Sequence, residues 1–375
     1  MDKVIIKKFM SDKLYEGLKK IKDINICGFT DKNPELWGMM EEEHPIYSIF
    51  QVAKLYRKGQ INKVVFASDI EMDLLNKMIK EIGNMGISKE DIWIAKPEFY
   101  EEPLKEHLCL YEQYRRLPYL EFHVVDHCNL NCKGCVHFSP LVKTKKFADF
   151  EIVKRDFLQL KKLVSYIDKI HILGGEPLLN EELDEYLYLV RDVYPYSEIS
   201  VVTNGLLLSQ MQKKVVDALK DTGAQIRISM YPPILNRIDE VVANVKKEGV
   251  KIYCSDVIHE FSYTFDNNGG HARGVQKIYC RCPNLYEGHL AVCPPIAYMK
   301  YFNDSFEQNW EYQDGLIDIY DSKLTYASLL EELHKVRGVC DNCLFISKED
   351  AIPMKWEQST QMDIREYVWM GGKLN

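Results

Sequence analysis

At 375 residues the chain is too long for one ordinary hydrophobic core, and two or three domains are expected. A net charge of −8, with acids and bases interspersed and no run of Lys and Arg, excludes nucleic acid as a main partner, because binding phosphates needs a basic face. No apolar stretch is long enough to cross a bilayer and Met1 to Lys13 meets charges too early for a signal peptide, so the sequence reads as cytoplasmic, with no membrane partner. Eleven cysteines in such a chain point to metal or redox chemistry rather than disulfides.

Residues 1–105 read as a small α/β unit. Apolar runs predict strands over Lys3 to Lys7, Ile24 to Phe29, Ile61 to Ala67 and Asp91 to Ala95, with amphipathic helices over Tyr47 to Lys58 and Asp73 to Ile82. This alternation favours an open parallel sheet. The segment Ile26-Cys27-Gly28-Phe29-Thr30-Asp31 resembles the second strand and turn of Rossmann-like domains of sugar-modifying and capsule-assembly proteins, where an acid such as Asp31 meets a ribose. The turn Lys7-Lys8-Phe9-Met10-Ser11 after the first strand has no glycine to bring backbone against a pyrophosphate, so the unit reads as a docking domain with a degenerate nucleotide site.

Pro103 to Pro118 is predicted to be a helical connector, and Tyr119 to Val125 a strand that delivers the loop Asp126-His-Cys-Asn-Leu-Asn-Cys-Lys-Gly-Cys-Val-His-Phe-Ser-Pro140. Cys128, Cys132 and Cys135 in this spacing suit three corners of a [4Fe–4S] cube with one iron left open, or a zinc site completed by His137. A helix capped by Asp149, with Val153, Phe157, Leu160 and Val164 on one face, precedes a strand over Lys169 to Leu173 that ends in Gly174-Gly175-Glu176-Pro177. Asn180 is expected to begin the next helix, Glu198 to Val202 a strand ending in Thr203-Asn204-Gly205, and Ser209 to cap the helix after it. Strands are predicted over Gln225 to Met230, placing Arg227 and Ser229 toward the interior, and over Val250 to Tyr253, ending at Cys254. Phe261 to Gln276, rich in glycine and without periodicity, reads as a loop over the mouth.

The three-cysteine loop followed by Gly-Gly-Glu-Pro resembles the radical S-adenosylmethionine (radical SAM) enzymes. The resemblance implies a partial (β/α)6 barrel over residues 118–260, a [4Fe–4S] cluster on Cys128, Cys132 and Cys135, and S-adenosylmethionine (SAM) on its open iron. It also implies SAM contacts from Gly174, Gly175, Glu176, Pro177, Thr203, Asn204, Ser229 or Arg227, and a reductase that supplies one electron. Where the family carries an aromatic residue before the third cysteine this chain has Gly134, and Phe138 is the candidate substitute.

A second group follows. Cys280 and Cys282 lie before, and Cys293 after, a hairpin turned at Glu287-Gly288; a helix over about 324–336 then leads to Cys340-x2-Cys343. Four of these thiols suit zinc or [4Fe–4S]. The layout is similar to the twitch domain, a shortened SPASM extension, which implies an auxiliary [4Fe–4S] cluster over residues 279–350 on Cys282, Cys293, Cys340 and Cys343, with Cys280 the alternative first ligand. The final residues, ending Trp369-Met370-Gly371-Gly372, read as frayed. The resemblance points to oxidation or epimerisation of a carbohydrate or cyclitol, with Cys254 as hydrogen donor in an epimerase. Maturation of a ribosomal peptide and a zinc-stabilised binding protein are the alternatives.

Overall fold

The computed structural model describes residues 1–7, 12–278, 280, 282–346 and 351–371. The chain divides into two compact units, Met1–Pro118 and Tyr119–Asn375. The glycine-free turn at Lys8 to Ser11 lies outside the described residues, as do Tyr279, Arg281 and Gly372.

The first unit is built from β1 (Asp2–Lys7), α1 (Asp12–Lys19), β2 (Ile24–Thr30), β3 (Met40–Glu41), β4 (His44–Tyr47), α2 (Ile49–Arg57), β5 (Lys63–Ala67), α3 (Met72–Asn84), β6 (Ile92–Ala95) and β7 (Leu108–Leu110). Its sheet runs β3-β4-β2-β1-β5-β6-β7, with β4, β2, β1, β5 and β6 parallel. Val4, Ile5 and Ile6 in central β1 have no exposed surface, which is why that strand is a continuous apolar run rather than an alternating one. The stretch expected as a helical connector is instead two short 3-10 turns flanking β7, which pairs antiparallel with β6. The free edge of β6 offers Leu108–Leu110 a hydrogen-bonded ladder that a short, proline-bounded helix could not match. Asp31 is engaged within its own unit: Oδ1 accepts from the Asn33 N–H at 2.8 Å and Oδ2 lies 3.6 Å from Lys7 Nζ. A cavity of about 310 Å³ lies beside it, walled by Trp37, Phe50 and Met78.

β8 (Arg116–Val125) crosses into the second unit at Tyr119, and the unit continues with α4 (Phe150–Leu163), β9 (Tyr166–Gly174), α5 (Leu183–Val193), β10 (Glu198–Thr203), α6 (Lys213–Thr222), β11 (Gln225–Met230), α7 (Ile238–Lys247) and β12 (Lys251–Val257). Asp149 caps α4 through Oδ1, accepting from the Glu151 and Ile152 N–H groups. By contrast α5 starts three residues after Asn180, whose Oδ1 accepts from Glu182 N–H, and Ser209 does not cap α6. β13 (Glu260–Ser262), β14 (Phe265–Asp266), β15 (Asn284–Tyr286), β16 (His289–Ala291), α8 (Pro294–Phe306), β17 (Leu316–Asp318), α9 (Tyr326–Leu333), β18 (Pro353–Lys355) and β19 (Val368–Trp369) complete it. The sheet order is β12-β11-β10-β9-β8-β15-β16-β17, with β8 to β12 joined by helical crossovers: a partial barrel whose sheet stays open at β12. Glu287 (φ 42°) and Gly288 (φ 82°) make the two-residue hairpin turn between β15 and β16.

Residues 261–276 are not a free lid, nor is the tail up to Gly371 frayed. β13 pairs with β18 and β14 with β19, while Phe265 and Tyr367 are buried against Phe138 and Phe302. Apolar burial through scattered aromatic residues leaves no periodic trace in sequence. No helix among the described residues is long and apolar enough to cross a membrane.

Candidate functional site

The three-cysteine loop starts where β8 ends, and its sulfurs collect N–H donors. Cys128 Sγ accepts from Leu130 N–H at 3.3 Å, and the Trp356 indole donates to Cys132 Sγ at 3.3 Å. Cys135 accepts backbone donors from residues 137 to 139. All three pack in one apolar group with Leu130, Trp356 and Tyr231. Burial pushes the free Cys128 thiol up to about 12 and raises those of Cys132 and Cys135. Sulfurs that are buried yet ringed by N–H donors suit thiolate bound to a cluster, whose potential such hydrogen bonds tune. Among the described residues no group of three or more His, Cys, Asp and Glu side chains is drawn together at the spacing of a bound metal ion. His137 commits Nδ1 to His123 Nε2 at 2.9 Å, and His123 Nδ1 meets Asp126 Oδ1 at 2.8 Å.

The tail grips this loop. Lys133 N–H donates to Glu357 O at 2.9 Å, Lys133 Nζ reaches Glu357 Oε2 at 2.9 Å, and Cys132 bridges to Gln358. A Cβ on Gly134 (φ 65°) would stand 2.3 Å from Met354 Cε, so the position where an aromatic residue was missed is filled by the tail. Phe138 does not replace it: with no exposed surface, it is locked among Phe265, Phe302 and Tyr367. The aromatic residue that does face the loop is Tyr231, stacked on Trp356 at 5.6 Å. Its position directly after β11, before Pro232-Pro233, was the available signal.

Gly174 and Gly175 approach the chain itself. A Cβ on Gly174 would lie 2.0 Å from Val125 O, and one on Gly175 2.1 Å from His127 O and 2.7 Å from Cys128 N. Gly175 N–H donates to Val125 O at 2.8 Å, and Glu176 N–H to His127 O at 3.2 Å. The glycines therefore let β9 brace the cysteine loop. Glu176, fully buried and followed by Pro177 at the first position of a 3-10 turn, holds the Thr-Asn-Gly turn: Oε1 accepts from the Thr203 hydroxyl at 2.6 Å and Oε2 from Asn204 N–H at 2.9 Å. Burial pushes its carboxyl up to about 7, against those hydrogen bonds. Thr203 also accepts from Gly205 N–H at 3.0 Å, which fixes its hydroxyl within the turn. Asn204 does reach the loop, with Nδ2 2.7 Å from Asn129 Oδ1 and 3.8 Å from Cys128 Sγ. Gly175→Ala is expected to cost about 3 kcal/mol, since neither backbone can move aside, and to lower both the melting temperature and the iron bound after reconstitution.

Strand register sorts the remaining candidates by face. Ser200 stands opposite His171 and Gln225, and Arg227 opposite Val202 and Tyr253, so these side chains share one face, with Ser229 at the strand end. Tyr119 and Glu121 join it, the Tyr119 hydroxyl lying 2.5 Å from both Glu121 Oε1 and His171 Nδ1. Cys254 does not. β12 runs on to Val257 instead of ending at Cys254, and Cys254 pairs with buried Ile228 on the opposite, helix-packed face, where α7's Lys246 is its charged neighbour. Its expected role as hydrogen donor is thereby removed.

In the second group, the Cys293 thiol donates to Cys280, which lowers the pKa of Cys280 and raises that of buried Cys293. Cys343 interacts electrostatically with Cys280, Cys293 and Cys340. Arg337 N–H donates to Cys340 Sγ at 3.5 Å and Phe345 N–H to Cys343 Sγ at 3.4 Å, the same donor pattern as in the first loop. Cys282 has different company: burial raises its thiol to about 12, with Glu121 and Cys280 as its charged neighbours. The thiols that interact with one another are thus Cys280, Cys293, Cys340 and Cys343, while Cys282, the expected first ligand, has Cys280 alone of that group among its charged neighbours and lies two residues before β15. Glu121 N–H donates to Pro283 O at 2.9 Å, and Asn284 Nδ2 bridges Glu121 Oε2 at 3.2 Å and Cys282 O at 2.8 Å.

Residues 123–248 match the family model described as the radical SAM superfamily. The chain is 31% identical over 153 residues to the GTP 3′,8-cyclase of Aliarcobacter butzleri, covering 37% of this chain and 46% of that protein. It is 38% identical over 106 residues to the enzyme of the same name from Clostridium acetobutylicum, covering 28% and 32%. The chain thus spans half or less of the length of these curated relatives. Among solved structures, BtrN in complex with AdoMet and 2-DOIA overlaps 60% of this chain and 92% of its own, at 17% identity and a TM-score of 0.37, a level that carries no argument about substrate. The loop, the Gly-Gly brace and the family match fall on the same strands: residues 123–248 carry a radical SAM domain, of the kind that binds a [4Fe–4S] cluster and SAM.

Proposed function

We propose that this chain oxidises a small hydroxyl-bearing molecule of carbohydrate type. Cys128, Cys132 and Cys135 hold the SAM-binding cluster, and Cys280, Cys293, Cys340 and Cys343 hold a second [4Fe–4S] cluster in a twitch-like region of residues 279–350. When bound, the first cluster supplies the electron that cleaves SAM to a radical able to remove a hydrogen atom from carbon, and the second suits acceptance of an electron. The observation that carries the reading is the tie between Glu121 and the cysteine hairpin, which keeps the second thiol group beside the polar inner face.

Oxidising a carbinol removes a hydrogen atom, then a proton and an electron. Glu121, hydrogen-bonded to Tyr119 and Asn284, is the carboxylate on that face placed to take the hydroxyl proton. Asn204 and Ser229 line the strand ends toward SAM. Residues 1–105 serve as a docking domain, and a one-electron reductase is the expected partner. Epimerisation is a second reading, favoured by Cys282 with its protonated thiol outside the four-thiol group. The relatives named GTP 3′,8-cyclase overlap only part of this chain, so GTP enters as a test compound. The protein, reconstituted anaerobically with iron and sulfide, should release 5′-deoxyadenosine from SAM faster when offered sugars, sugar phosphates or cyclitols than when offered GTP or peptides. Stimulation by GTP or a peptide alone would overturn the carbohydrate reading.

A further inference from the structure

The inner face of the second unit carries a half-buried guanidinium that makes no ion pair among the described residues. Arg227, half-buried in the middle of β11, has no hydrogen bond or ion pair to any described residue; its guanidinium carbon lies 4.5 Å from the centre of the Tyr253 ring. Glu121, the buried carboxylate on this face, is held by Tyr119 and Asn284 on the far side of β9. Burial, then the Arg227 charge, lower His171 to about 4, so the ring is neutral and offers no competing cation. A guanidinium that is partly desolvated without a carboxylate is costly unless an anion arrives to pair with it, and its planar fork matches phosphate or carboxylate oxygens two at a time. Tyr253, 51% exposed on edge strand β12, places its ring under the guanidinium at the open side of the barrel.

We propose that Arg227 docks an oxyanion of the substrate, a phosphate or carboxylate on a hydroxyl-bearing molecule whose remaining polar groups meet Tyr119, Glu121 and His171. This rests on the carbohydrate reading and narrows it to charged members of that class. Arg227 lies two residues before Ser229, roughly 6–7 Å deeper than the strand end, after which Tyr231 packs against the three-cysteine loop, and this depth assigns the oxyanion to substrate rather than to the carboxylate of a SAM held at that loop.

The test uses the full chain, reconstituted, with two readouts that need no turnover. Millimolar inorganic phosphate or glucose 1-phosphate should shield Arg227 from phenylglyoxal, mapped by peptide mass spectrometry, whereas glucose should not. Affinity for SAM, measured calorimetrically, should stay within about twofold in Arg227→Met, while glucose 1-phosphate binding should weaken about tenfold or more, and only in part in Arg227→Lys, which keeps charge without the fork. Loss of SAM affinity with unchanged glucose 1-phosphate binding would assign the oxyanion to SAM and overturn the proposal. So would the absence of shielding by either anion. Failure of every sugar to stimulate SAM cleavage, with shielding intact, would instead count against the carbohydrate reading and leave the oxyanion site standing.

Discussion

Replacing Cys132 with alanine is expected to abolish reductive cleavage of SAM, with 5′-deoxyadenosine falling to the level of a protein-free control. Cys132 is 6% exposed and sits between the other two thiols of its loop in the apolar group that includes Trp356 and Tyr231. With two thiolates left, a cube loses the support that orients its open iron. The fold should survive: the change deletes one small side chain and one N–H···S bond from Trp356, a loss of roughly 1–2 kcal/mol, so the melting temperature should drop by only a few degrees. Iron and sulfide counts should fall by one cluster and not two. A variant that still makes 5′-deoxyadenosine at the parent rate would sink the assignment of this loop. Trp356→Phe is the matching control, because it removes the donor and keeps the thiol; the cluster should assemble, with a lower reduction potential.

What the sequence made legible was local. Cys128-x3-Cys132-x2-Cys135, the Gly-Gly step and the Glu-Gly hairpin each declare themselves within a dozen residues, because each is a short-range demand of ligand spacing or backbone approach. The misreadings arose where parity or distance decided. Cys254 was read as a strand end, yet β12 continues to Val257, and an alternating strand sends Cys254 to the helices while Tyr253 faces in. At Gly175 the missing Cβ makes room for the backbone of His127, an approach between segments nearly fifty residues apart that spacing alone does not announce. The tail reads as loose because Trp356 and Tyr367 follow no period; their partners, Cys132 and Phe138, lie more than two hundred residues earlier. In the second group, Cys280 and Cys282 are two positions apart, a spacing that puts both on one face of an extended strand, so spacing cannot choose the first ligand; their neighbours do, Cys293, Cys340 and Cys343 for Cys280 against Glu121 for Cys282.

That last point leads to a paired substitution with opposite expected results. Cys280→Ala should remove one cluster's worth of iron and sulfide while leaving the SAM-dependent cluster and 5′-deoxyadenosine formation in place, because Cys280 hydrogen-bonds Cys293 and interacts electrostatically with Cys340 and Cys343. An oxidising enzyme so altered should release no oxidised product, having lost the site suited to accept its electron. Cys282→Ala should keep the full iron content, since Cys282 faces Glu121 instead. The same variant separates oxidation from epimerisation. In an epimerase the substrate radical takes the hydrogen atom of the Cys282 S–H bond, forming a new C–H bond, and the sulfur radical left behind is reset by one electron and one proton from the external reductant and solvent. Reaction in heavy water would then place deuterium at the reacting carbon in the parent protein and not in Cys282→Ala. An oxidising enzyme places none in either and yields the same ketone from both. Loss of a cluster's iron on replacing Cys282, with no loss on replacing Cys280, would reverse the assignment of the two thiols and return Cys282 to the ligand set.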